Sequence, residues 1–214
     1  KFRGDNYPTH GIGPVCQVLN IHRGDKMNTL VAMDTKAIHG AEVAKEKMGV
    51  DEFADGDHTV SLIRTELGHQ IEIQHNVYAA RPYSRMYQLT GTKGFANKYP
   101  RPQFAVASDP ERFASPEFMD SLMQTYKHPV IAEYETKAKE VGGHGGMDYI
   151  MDSRLIYCLR NGLPLDQDVY DAAEWCCVNE LSRISIAAGS MPVQVPDFTR
   201  GDWNKVQGYS LATK

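Results

Sequence analysis

HTVSLIRTELGHQIEIQHNVYAA, residues 58–80, is the stretch that decides the architecture. Apolar and polar residues alternate on both sides of Leu67-Gly68-His69, so the spacing predicts two strands, His58 to Glu66 and Gln70 to Ala79, folded back on one another. Val60 and Leu62 share one face of the first, and Ile71, Ile73, His75 and Val77 share one face of the second. Period-two patterning with one apolar face marks a half-buried antiparallel sheet, whereas a parallel sheet covered on both sides calls for continuous apolar runs. Arg85 to Thr92 continues the sheet, with Gly91-Thr92-Lys93-Gly94 as its turn, and Asn28 to Thr35 supplies an earlier strand. Gly40 to Asp57 is polar and reads as an excursion.

Helical spacing surrounds this sheet. Ile12, Val15, Val18 and Leu19 recur on one stripe between Gly11 and Ile21, with His10 at the start. Ser115-Pro116-Glu117 provides an N-cap, a first-position proline and a first-turn acid for a helix over Phe118 to Tyr126, and another runs from Val130 to Val141, stopped by Gly142-Gly143. Met147, Ile150, Met151, Arg154, Leu155 and Cys158 line a third stripe ended by Asn161-Gly162; Val169, Ala172, Ala173, Cys176, Leu181, Ile184 and Ala188 line a fourth ended by Gly189. Strands followed by helices, with no alternating βαβ units, give an α+β fold: a large, predominantly antiparallel sheet packed with helices, in one domain over 1–214.

The 214 residues carry a formal net charge of −4 and no long basic run, which argues against nucleic acid as a partner. Apolar runs are too short to span a bilayer. The four cysteines, Cys16, Cys158, Cys176 and Cys177, lack zinc-site spacing and are too sparse for a disulfide framework, so they read as small core residues. His22, His39, His58, His69, His75 and His128 show no ligand spacing and read as structural or solvated, and no metal site is expected. Compartment is left open by the sequence.

Near the amino end, Tyr7-Pro8-Thr9-His10 runs into Gly11-Ile12-Gly13-Pro14 and sets a phenol and an imidazole at a helix entry. A His titrates close to neutrality, so there it can accept or return a hydroxyl proton; the plainer reading is a packed turn with a cap. His144 stands among Gly142, Gly143, Gly145 and Gly146, where the backbone can come close to a ligand; the plainer reading is an exposed connector. Arg81 and Tyr83 flank Pro82 after a strand, and their planar donors suit sugar hydroxyls, although a surface Arg also pairs commonly with a nearby acid.

The Tyr7–Pro14 stretch, Arg81-Pro82-Tyr83-Ser84-Arg85, Gly142-Gly143-His144-Gly145-Gly146-Met147-Asp148 and the run from Leu159 to Gly201 stand in the same order as in one known family. Together they cover most of the chain, which resembles the substrate domain of glycoside hydrolase family 109, in the Gfo/Idh/MocA oxidoreductase superfamily. The resemblance implies a bacterial protein, a periplasmic or cell-surface location being one option. It implies a carboxy-terminal substrate-binding and catalytic domain whose partner, an amino-terminal NAD-binding Rossmann domain, lies outside this chain.

The residues agree with that division. Gly11-Ile12-Gly13-Pro14-Val15-Cys16 departs from a dinucleotide fingerprint at Pro14 and Cys16 and follows no strand, and Gly142 to Gly146 has no preceding strand either. The implied reaction is cleavage of an α-N-acetylgalactosaminide or related glycoside with bound NAD. Hydride leaves C3, the ketone acidifies the C2 proton, the aglycone is eliminated, water adds and the hydride returns, so no carboxylate pair is needed. Within it Tyr7 and His10 are the expected catalytic residues, and Arg81, Tyr83 and His144 the expected substrate-binding ones. In the family a His can follow the second Arg of the Arg81–Arg85 motif; Met86 stands here and removes a polar group. Alternatives are an NAD-dependent sugar dehydrogenase of the same superfamily, and a non-catalytic sugar-binding or oligomerisation module that pairs through a sheet face.

Overall fold

A computed structural model describes residues 2–211. The chain divides into two compact units, Lys1–Tyr83 with Gln167–Tyr209 and Ser84–Asp166 with Ser210–Lys214. The first opens with α1 (Thr9–Val18), β1 (Met27–Asp34), α2 (His39–Met48), β2 (Thr59–Thr65) and β3 (Gln70–His75). Where the sequence reads as a polar excursion, α2 forms because Asp57 caps it from downstream: its carboxylate accepts the backbone N–H groups of Ile38, His39 and Gly40 at 3.2, 2.9 and 2.9 Å. Only Gly40 and Ala44 of α2 are buried, so no apolar stripe announces it.

β2 pairs antiparallel with both β1 and β3. Ile63 lies opposite Ile71, Ser61 opposite Ile73 and Thr59 opposite His75. Residues paired across strands share a face, so the burial of Ile71 and Ile73 fixes the core side of β2 as Thr59, Ser61, Ile63 and Thr65, all buried. The expected inward face, Val60 and Leu62, is the outer one; Leu62 is 40% exposed.

The second unit follows. β4 (Gln88–Gly91), β5 (Gly94–Asn97) and β6 (Gln103–Val106) form a separate three-stranded antiparallel sheet, so the segment expected to extend the first sheet pairs elsewhere. Three helices succeed it, α3 (Pro116–Thr125), α4 (Pro129–Val141) and α5 (Met147–Asn161). The Ser115 hydroxyl accepts the Phe118 N–H at 3.3 Å and caps α3 as the sequence indicates. His128 caps α4, its Nδ1 accepting the Val130 N–H at 3.2 Å. On α5 the buried positions are Arg154, which donates to Asp166 at 2.9 and 2.7 Å, and Cys158; Met147, Met151 and Leu155 of the expected stripe are exposed.

The chain then re-enters the first unit with α6 (Val169–Ala187) and β7 (Val193–Gln194), which completes a sheet of order β3-β2-β1-β7. The α+β class with antiparallel sheets thus holds, its strands shared between two sheets. The core of this unit joins Ile12 and Cys16 of α1, Leu30, Ala32, Ile63, Ile71 and Ile73 of the sheet, and Trp175, Val178, Leu181 and Ile186 of α6. Cys16 and Cys158 are buried as expected, whereas Cys176 is exposed.

The buried face of α6 is not the stripe that apolar spacing selects. Of that stripe only Leu181 is fully buried, and the face inward carries Asp171, Glu174, Ser182 and Ser185 among the apolar residues. Each of these polar groups has a partner brought from elsewhere. Arg23 donates to Asp171 at 3.0 and 2.8 Å, Glu174 meets His22 Nδ1 at 2.8 Å, and Ser182 and Ser185 accept the backbone N–H groups of Asp5 and Ala32 at 2.9 Å. Hydrophobic periodicity is blind to a buried polar side chain that is satisfied.

Ile63 and Leu62 separate the two faces of β2 in a measurable way. Ile63→Ala should cost about 2–5 kcal/mol and Leu62→Ala under about 1 kcal/mol in urea unfolding. Equal costs would put the register wrong.

His22 supplies a pH test. Its Nε2 lies 3.4 Å from Asp168 and 4.0 Å from Asp171 while Nδ1 faces Glu174, and a neutral imidazole has one N–H for the two sides. Burial opposes the charged ring, but the hydrogen bond and charge of Glu174 outweigh it against the opposing charge of Arg23, with Asp168 adding, and the pKa is raised. A folded pKa above the unfolded value of about 6.5 gives stability that is complete below that value and is lost as pH rises through the folded pKa. The melting temperature of wild type relative to His22→Gln should therefore fall from pH 6 to pH 9; a constant difference would show that folding leaves the ring's pKa unshifted.

Candidate functional site

The segment that carries Tyr7 and His10 is pinned before it reaches them. Arg3 donates to Asp34 at 2.8 and 2.6 Å, and the Asp5 N–H is held by Ser182. Gly4 adopts φ +131°, and a Cβ there would stand 2.7 Å from Ser182 Oγ, so no other residue fits without displacing α6. The carbonyl of Pro8 then accepts the N–H groups of Gly11 and Ile12 at 2.9 Å and starts α1. Tyr7 and His10 emerge on the exposed side of this turn, with ring centroids 4.8 Å apart and the phenol oxygen 3.4 Å from Nε2. With the ring proton on Nδ1, the Tyr7 hydroxyl donates to the one lone pair of Nε2, and a hydroxyl arriving from solvent can donate to the Tyr7 oxygen, from which a proton can pass to Nε2.

Arg81 and Tyr83 follow β3 on an exposed stretch of the same unit, with the Arg81 N–H bonded to the Ala79 carbonyl at 2.9 Å. His144 belongs to the second unit. It lies in a single 3₁₀ turn, His144–Gly146, ahead of α5, and its Nδ1 is 2.8 and 3.0 Å from the Asp148 carboxylate. If that nitrogen carries the proton, Asp148 fixes the tautomer and leaves Nε2 as an acceptor on an exposed ring. Two grooves of the second unit, one of ≈ 870 Å³ lined by Phe104, Met123 and Ile131 and one of ≈ 620 Å³ lined by Phe95 and Phe113, include none of these residues.

Asp5, Asp55 and His75 are buried polar residues to which sequence reasoning gives no functional role. Asp5 is 1% exposed, Asp55 4%, and neither carboxylate has a hydrogen-bonded partner; the Nδ1 of His75 is likewise buried and unpartnered. Burial pushes the Asp5 carboxyl up to about 6, an effect that His75 and the Tyr7 backbone N–H oppose and Asp55 reinforces. The Tyr78 phenol is raised by burial and by Asp55. The only sequence signal was a charged residue between Gly4 and Asn6 just ahead of Tyr7-Pro8, a composition that otherwise reads as an ordinary turn.

Among the described residues the one trio with ligand atoms close enough for a metal is His22, Asp168 and Asp171. The Arg23 guanidinium already supplies the cation there, and Asp168 is spent on capping α6. A dinucleotide phosphate is not provided for by the glycines. Gly11 and Gly13 lie inside α1, where Gly13 makes room for Trp175, a ring a Cβ would approach to 3.1 Å, and Gly142 to Gly146 connects two helices. No helix of the described residues is long and apolar enough to cross a membrane.

Known proteins share both sequence and fold with this chain. A glycosyl hydrolase family 109 protein of Phocaeicola vulgatus is 60% identical over 99% of the chain and 48% of its own length, and one from Porphyromonas gingivalis is 60% identical over 99% and 49%. The chain therefore spans about half the length of the curated relatives it matches. An oxidoreductase from Agrobacterium radiobacter, solved with NAD+, L-tartaric acid and magnesium, has a similar fold, with a TM-score of 0.51 at 16% identity over 90% of this chain and 50% of that one. The family description "Glycosyl hydrolase 109, C-terminal domain" matches residues 1–205, which contain Tyr7, His10, Arg81, Tyr83 and His144; the chain belongs to glycosyl hydrolase family 109.

Proposed function

We propose that this chain is the substrate domain of a glycosidase that cleaves α-N-acetylgalactosaminides or related glycosides with NAD as a recycled cofactor. The observation that carries it is the exposed Tyr7–His10 pair, in a chain whose family is a glycosidase family. NAD, held mainly by residues outside 1–214, supplies reversible oxidation at C3 of the sugar. His10 accepts the C3 hydroxyl proton at Nε2. Tyr7 hydrogen-bonds that nitrogen, orients the same hydroxyl and shuttles protons between them. Arg81 and Tyr83 donate to sugar hydroxyls, and His144, oriented by Asp148, offers Nε2 to a polar group of the glycoside. The base that takes the C2 proton belongs to the half of the protein beyond this chain.

The outer face of the four-stranded sheet supports a second copy of the protein as a partner. Val31 and Leu62 lie opposite one another there, as do Met33 and Val60, and Met33 is 65% exposed.

In the full-length protein, His10→Ala should lower turnover of a chromogenic α-N-acetylgalactosaminide about 10²-fold to 10⁴-fold, with folding and NAD binding retained. Near-normal turnover in a folded variant sinks the role, and accumulation of reduced cofactor with an oxidised sugar points to a dehydrogenase. Calorimetric titration of the 214-residue chain with NAD should show no tight stoichiometric binding, since no strand-to-helix glycine turn is present to hold a pyrophosphate.

A further inference from the structure

The topology of the three-stranded sheet gathers three cations and two phenols at one of its ends. Gln88 opens β4 opposite Asn97, which closes β5, and Asn97 lies opposite Gln103, which opens β6. Arg85 and Tyr87 lead into that end, and Lys98, Tyr99 and Arg101 belong to the link from β5 to β6. The Lys98 N–H donates to the Tyr87 carbonyl at 3.2 Å. Its ammonium stands 5.5 Å from the centre of the Tyr87 ring and 5.9 Å from that of Tyr99, and the two ring centres are 6.4 Å apart. A surface Lys otherwise swings on a flexible stem, so two ring faces fix this cation in place. Tyr87 meets it through strained backbone: Met86 and Tyr87 take φ of 54° and 45°, a region that side chains of their size rarely adopt.

Charge is as one-sided as the geometry. The chain is −4 overall, yet from Ile73 to Ser108 it has no Asp or Glu while it carries Arg81, Arg85, Lys93, Lys98 and Arg101. The other end of the same sheet is mixed, with Lys93 in the β4–β5 turn and Asp109, Glu111 and Arg112 following β6. Lys98 and Arg101 are exposed, and both tyrosines are half-buried.

We propose that this end of the sheet is a second carbohydrate-binding site, in the other unit from the Tyr7–His10 turn, and that its ligand is a sulfated sugar of an extended glycan. The phenol bodies offer flat apolar surface to the C–H face of a pyranose, and their hydroxyls remain available to its polar rim. A compact ammonium with three N–H donors meets the three terminal oxygens of a sulfate ester as a point charge, whereas a planar carboxylate is the closer match for an arginine fork. Lys98, the cation held between the rings, therefore sets the choice. Membership of a glycosidase family supplies the link to glycans. Binding requires no turnover, so the site stands or falls apart from the catalytic reading.

The test is calorimetric titration of the full-length protein with a chondroitin 6-sulfate tetrasaccharide, its desulfated counterpart and an oligothymidylate of equal charge. The sulfated probe should bind, more weakly as salt rises, and the desulfated one, which keeps its carboxylates, at least about 10-fold less tightly. Lys98→Gln should lose about 10-fold in affinity for the sulfated probe, the scale of one charged hydrogen bond, and Tyr99→Leu several-fold with the same salt dependence. His10→Ala should bind it as wild type does. No binding of the sulfated probe, equal binding of the desulfated one, or equally tight binding of the oligothymidylate overturns the proposal. So does a matching loss in His10→Ala, which would put the probe at the Tyr7–His10 turn. Should Lys98→Gln lose melting temperature, Arg101→Gln decides the charge arm: weakened binding supports the site, and unchanged affinity ends it.

Discussion

The first unit hangs on a directional seam between α6 and everything that precedes it. Trp175, Val178, Leu181 and Ile186 supply apolar burial, which favours contact but does not choose a register. Asp171, Glu174, Ser182 and Ser185 do choose, because each meets a partner fixed elsewhere in the unit: Arg23, His22, the Asp5 amide and the Ala32 amide. Ser185 extends the seam by donating to the Met191 carbonyl at 2.8 Å, just before β7 joins β1. A slip of α6 by one residue would strand all four groups in a dry interior, a penalty that dispersion alone does not impose. The Tyr7–His10 turn inherits its position from the same seam through Asp5 and Ser182.

Much of the fold is legible locally. The β2–β3 hairpin, β1, the capped start of α3 and the glycine stops of α4 and α5 all follow from alternation, caps and punctuation at the residues that form them. The failures share a cause. α2 depends on Asp57, which lies beyond its far end, and the inward faces of β2 and α6 are decided by partners across the fold. Thr59, Ser61 and Ser185 look like surface residues in a window of ten, and only the pairing with β3 and the amide of Ala32 show them to be interior.

The site divides in the same manner. Tyr7 and His10 are three residues apart at a helix start, so their meeting is a local event that spacing reveals. The relation of His144 to Asp148 is likewise one helical turn. Asp5, Asp55 and His75 come from three separate segments and were invisible as a group. Nothing in Gly4-Asp5-Asn6 distinguishes a buried carboxylate from one that ends an exposed loop, since both occur in the same turn composition.

The connectivity of the first unit has a consequence for how the protein is made. Its chain departs at Tyr83 and returns at Gln167, so the helix and the strand that complete its core are synthesised only after residues 84–166 of the second unit. Until Ser182 and Ser185 leave the ribosome, β1 lacks its outer neighbour β7 and the inner face of the sheet lacks the part of its cover that α6 supplies, while the described strands and helices of the second unit are already complete. The ends of an 83-residue excursion must be brought together before that core can close, an entropic cost that grows only slowly with excursion length, by about 0.6 kcal/mol per doubling. Sequence drift and insertions in the second unit are therefore cheap for the first. A delay in translation just before α6 is the costly event, because it prolongs the interval in which an apolar sheet face stands open to self-association.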